Sequence, residues 1–61
     1  MTIYEINYRN RLNEMVNLIT DKYGANHNVT ILFTHMVEQR LPNANYQNRE
    51  ELERYFKGWM K

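Results

Sequence analysis

A chain of 61 residues with eight basic and seven acidic side chains makes one small domain of net charge +1, with no long-range field of either sign. That balance argues against a protein whose main task is to grip a phosphate backbone, and equally against an acidic mimic of one. No cysteine is present, so disulfides and thiolate metal sites are excluded, and two histidines alone do not make a structural zinc site.

A chain this short buries only about 60% of the surface its unfolded form exposes, so helix packing or self-association must supply its stability. A homodimer is therefore one expectation from size. No apolar run approaches the ~20 residues of a membrane span, and the first residues do not resemble a signal peptide, so cytoplasm is the expected setting. Asn28-Val29-Thr30 matches the glycosylation triplet and is read as chance without a secretory signal. Nine asparagines and five tyrosines hint at an AT-rich coding sequence, of the kind carried by low-GC bacteria, phages and plasmids.

The first element is the one the rest must cover. Tyr8, Leu12, Met15, Val16, Ile19 and Tyr23 fall within roughly a 100° arc of a 3.6-residue helix. Arg9, Asn10, Arg11, Asn13, Glu14, Asn17, Asp21 and Lys22 occupy the remaining circumference. Thr2 and Glu5 stand in capping-box spacing, so the helix is expected over 3–23, with Tyr4 joining the stripe. Gly24 ends it in a left-handed conformation, and Lys22 suits the dipole of the last turn.

Asn26 or Asn28 is the expected cap of a second helix over about 29–41. Val29, Leu32, Phe33, Met36, Val37 and Leu41 supply its stripe. Residues 29–34 are rich in β-branched types and would suit a short strand. Length decides for helix: the apolar period continues to Leu41, and a lone strand would have no partner. Pro42 disfavours helical dihedrals at Leu41 and stops the element. The loop 43–47 leads to Asn48, the expected cap of a third helix over about 49–60, striped by Leu52, Tyr55, Phe56, Trp59 and Met60. Glu50–Arg54 and Glu53–Lys57 are spaced for i, i+4 ion pairs. The expected fold is all-α: a single three-helix domain over 1–61.

No stretch matches a family pattern. The sequence offers two functional readings. Helix 1, Gly24 and helix 2 have the order of a helix-turn-helix. That motif wants a small residue four before the glycine and an apolar one six after it, and the chain has Thr20 and Thr30. Phe33 fits a flanking position, but the reading helix carries a single arginine, Arg40, at its far end. A dimeric DNA-binding regulator would use Arg9, Arg11 and Arg40. These charges fit a solvated mixed-charge surface better, since glutamates are interspersed.

The favoured reading is a non-enzymatic protein-interaction module, a small adaptor or inhibitor that binds another protein or itself. His27 and His35 lack partners at catalytic or metal-ligand spacing, and no glycine-rich phosphate loop exists, so no enzyme activity, cofactor or metal is expected. Ile3, Ile6 and Ile31 fall off the core stripes, and Trp59 is hard to bury fully in so small a body. These four are the candidate partner-binding residues.

Overall fold

The computed structural model describes residues 2–43 and 45–61. It is a three-helix domain without strands among those residues: α1 (Ile3–Tyr23), α2 (Asn28–Arg40) and α3 (Tyr46–Trp59). Residues 29–34 are helical, as length and period require. Ala44, which the sequence places in the second connection, lies outside the described residues.

The domain measures 32 × 17 × 17 Å. A 21-residue helix is roughly 31 Å long, so α1 sets the long axis. Two contacts give the direction of the others. The Tyr8 hydroxyl donates to the Arg40 carbonyl at 3.4 Å, which puts the end of α2 beside the start of α1. The Tyr23 hydroxyl donates to the Trp59 carbonyl, which puts the ends of α1 and α3 together. The helices thus run up, down and up along one axis.

The core is the α1 stripe with what closes over it. Tyr8, Leu12, Met15, Ile19, Phe33 and Leu52 are fully buried, with Val37 and Phe56 nearly so. Each such side chain contributes about 1.5–3 kcal/mol relative to exposure. The accessible surface of 4357 Å² matches the roughly 4,250 Å² expected of a compact monomer of this mass, so size alone does not force a dimer.

The helix ends show where local chemistry decides. Thr2 and Glu5 form the capping box at α1. Gly24 has the expected positive φ, but with ψ 150° it is extended rather than left-handed helical. That orientation aims its carbonyl at the next turn, where it accepts from the His27 amide at 3.2 Å and the Thr30 hydroxyl at 2.7 Å.

His27, not Asn26 or Asn28, caps α2: its Nδ1 accepts from the Val29 amide at 3.1 Å. α2 ends at Arg40, and Leu41 keeps helical dihedrals (φ −59°, ψ −40°) despite the following proline. Pro42 stops the helix by its missing N–H, not by expelling its neighbour. α3 starts three residues earlier than expected because Asn45, not Asn48, is the cap, accepting from the Asn48 amide at 2.8 Å.

Three stripe residues are outside the core, and the first is Tyr4, 40% exposed in the opening turn of α1. Leu32 is 53% exposed and Tyr55 47%. The apolar set of α2 spans about 180° of arc, more than one contact can cover. α2 is rolled so that Thr30, Phe33 and Val37 face inward. The Thr30 hydroxyl is satisfied by Gly24, so its burial carries no unmet polar group.

Gly24 gives a sharp test. Nothing lies within 4 Å of a Cβ added there, so the whole cost of a side chain is the backbone at φ +101°. Gly24→Ala is expected to lose about 1–3 kcal/mol in denaturant melts, and D-alanine at the same position, introduced by synthesis, to recover most of it. Equal losses for both enantiomers would sink the backbone explanation.

Candidate protein-docking surface

The flank where α2 meets α3 is fixed by one ion pair. Arg40 Nη2 contacts Glu51 Oε1 across the two helices. Residues four apart share a flank of a helix, so Leu32, Met36 and Arg40 form one row, and Glu51, Tyr55 and Trp59 form the facing row. The helices are antiparallel. The ion pair therefore closes one end of a seam, along which Met36 and Leu32 follow on the α2 row and Tyr55 and Trp59 on the α3 row.

Within this seam Met36 and Trp59 pack against the core while Leu32 and Tyr55 stand exposed. Trp59 is held three ways. Its ring meets Phe33 edge-on (5.8 Å, 88°) and stacks with Tyr55 (5.8 Å, 28°), and its carbonyl accepts from Tyr23 and from Lys22 at 3.0 Å. Gly58 lies on the same flank of α3. Its φ is ordinary and a Cβ there would meet nothing within 4 Å, so nothing inside the domain requires a glycine.

The other candidate partner residues do not join this seam. Ile3 is 78% exposed and Ile6 45%, both on the outer face of α1. Ile31 is 49% exposed on the opposite shoulder of α2, toward α1. The residues that sequence reasoning missed are Leu32 and Tyr55, which it assigned to the core. The excess width of the α2 stripe was the available signal.

The arginines singled out for nucleic acid are mostly engaged within the domain. Arg11 makes a bidentate bridge to Glu53 (Nε–Oε1 2.5 Å, Nη2–Oε2 3.0 Å), a further bond to Glu14, and lies 5.4 Å from the Phe56 ring. Arg40 is held by Glu51 and the Met36 carbonyl. Arg9 alone of the three is exposed without an ion pair among the described residues. The expected i, i+4 pairs Glu50–Arg54 and Glu53–Lys57 do not appear among the described ion pairs, and Glu53 turns to Arg11 instead. Helix-turn-helix pairs cross at about 90–120°, whereas α1 and α2 here lie along one axis, so the geometry gives that reading no support.

The outward side of α3 carries an open depression of about 550 Å³ lined by Tyr46, Arg49, Glu50, Glu53, Arg54 and Lys57, both signs mixed. Among the described residues no three metal-ligating side chains come together, and no helix is long and apolar enough to cross a membrane. No family model, curated protein or solved structure matches the chain.

Arg11 holds the Glu53 carboxyl below its usual range, chiefly through the hydrogen bond. A depressed folded-state value stabilises the fold above the unfolded carboxylate value near 4.3, and that stability is lost as pH falls through the folded value. Glu53→Gln is therefore expected to lower stability at neutral pH and to flatten its decline in acid. Melts at several pH values check this, and a variant as acid-sensitive as the parent would show that the bridge contributes nothing.

Proposed function

We propose that this chain is a non-enzymatic protein-interaction module, a small helical adaptor or inhibitor working in the cytoplasm, and that the α2–α3 seam is its docking surface. The observation that carries the reading is that Leu32 on α2 and Tyr55 on α3 are both exposed along the flank where the two helices meet, with Trp59 partly buried against the core. Aromatic residues fixed by neighbours lose little entropy on binding, and Tyr and Trp are the usual anchors of an interface. Exposed apolar side chains along the line where two helices meet suit an amphipathic helix of a partner, read through residues one turn apart. Gly58 supports the same reading. It leaves the flank bare beside Tyr55 and Trp59, where a partner backbone could approach closely.

Leu32 and Tyr55 are better probes than Trp59, because Trp59→Ala would also remove an edge contact on Phe33. A photo-crosslinking amino acid at position 55 is expected to trap a discrete partner in cells, and one at Arg54, on the charged outer side of α3, to trap none. Adding Leu32→Ser should abolish the crosslink with helix content unchanged. Gly58→Ala should raise stability by up to about 1 kcal/mol, while Gly58→Arg should block capture. Equal trapping from positions 54 and 55, or none from either, would remove the seam from consideration.

A further inference from the structure

We propose that the outer face of α1 pairs with α1 of a second copy of this chain, in parallel. The face is the row Ile3, Ile6, Asn10, Asn13 and Asn17, at steps of three, four, three and four. The row covers about 80° of arc on the side of α1 opposite the buried stripe, and every residue in it is exposed. It carries no charge over its whole length, on the part of the helix farthest from the core. An outermost helix face ordinarily takes the Lys, Glu and Arg of a chain.

The spacing is that of a coiled-coil seam, with Ile3, Asn10 and Asn17 at one repeating position and Ile6 and Asn13 at the other. The asparagines have no use inside the domain: no hydrogen bond among the described residues involves Asn10, Asn13 or Asn17 through its side chain. Each is also a poorer helix former than alanine, by up to about 0.7 kcal/mol. A paired helix gives them a use. Asparagine at the first core position pairs across a parallel two-fold axis and fixes register and copy number, at some cost in stability.

Charge complementarity sets the direction. Arg9 and Glu14 flank the row on opposite sides, five residues apart, which is the spacing of interhelical pairs in a parallel coil. Two copies of Arg9 would then meet two copies of Glu14. In an antiparallel pair the same-side flanks meet, bringing Glu14 and Asp21 against their own kind. Arg9 is also the candidate arginine without an ion pair among the described residues, and the Glu14 side chain keeps 60% of its exposure while bonded to Arg11.

The contact is short and mostly polar, so the dimer is weak. Sedimentation equilibrium from ~10 μM to ~1 mM, the range of an interface of the smallest size class, is expected to show a monomer–dimer equilibrium. Ile6→Asp should abolish it. Arg9→Glu should weaken it about tenfold, and adding Glu14→Arg should restore it. The chain has no cysteine, so Asn10→Cys is a clean probe. Parallel copies place position 10 opposite itself, within the ~4.4–6.8 Å reach of a disulfide, and mild oxidation should link them, while His35→Cys on the outer side of α2 should not link. A monomer at every concentration overturns the proposal. So does a dimer that survives Ile6→Asp and Arg9→Glu but is lost in Leu32→Ser with Tyr55→Ser, which would assign self-association to the seam instead.

Discussion

Tyr8 and Tyr23 stand fifteen residues apart on α1, roughly 22 Å along its axis, and each places a hydroxyl on the carbonyl at the end of a different helix. The end carbonyls of a helix have no partner within it and must be satisfied from outside. Here α1 satisfies one at each of its own ends, and Lys22 adds bonds to the Trp59 and Lys61 carbonyls at 3.0 Å. These contacts fix where α2 and α3 stop along α1. The stripe between the two tyrosines then presents Leu12, Met15 and Ile19 to both helices at a fixed height. Burial pushes the Tyr8 phenol above its ordinary value of 10.0, with the neighbouring Tyr4 adding to it. The neutral phenol is the form that donates to the Arg40 carbonyl.

The exposed seam is a consequence of the first turn, not of the third helix. Gly24, extended at positive φ, turns its carbonyl toward the start of α2, and Thr30 reaches it. Rolling α2 to bury Leu32 would gain about 1.5–3 kcal/mol. It would also swing Thr30 outward and break a bond to a carbonyl that the turn holds in place, at a cost of about 1–3 kcal/mol if that carbonyl loses its partners. Phe33 and Val37 would leave the core with it. The fold keeps Thr30, Phe33 and Val37, and Leu32 is what remains outside. The threonine that spoils the helix-turn-helix pattern is the residue that sets the roll of α2 and so creates the surface.

Much of this was legible in the chain. The α1 stripe is narrow, the capping box spaced at Thr2 and Glu5 forms in preference to a later cap at Asn7, and Gly24 has no rival as a stop, so α1 falls at its expected ends. The α2 stripe is twice as wide, and a hydrophobic pattern of that width fixes a helix without fixing its rotation. Asparagine caps were legible as a class and not as positions, because Asn26, Asn28, Asn45 and Asn48 are chemically alike, and histidine took the place of two of them. Ion pairing was least legible. Glu53 is spaced for Lys57, yet it meets Arg11 forty-two residues away, where a planar guanidinium offers two parallel bonds and an ammonium offers one.

The two surfaces left over lie on opposite sides of the domain. The α1 row points away from both other helices, and the α2–α3 seam is the contact farthest from α1. A chain paired through the first surface would therefore carry its seams facing outward, at equal height because the pairing is parallel. Two copies of one partner motif, or two motifs on one partner, could then be engaged together, and the second contact would form at an effective concentration set by the span between seams. That arrangement makes weak self-association useful. The net charge of +1 would not oppose the approach of two copies.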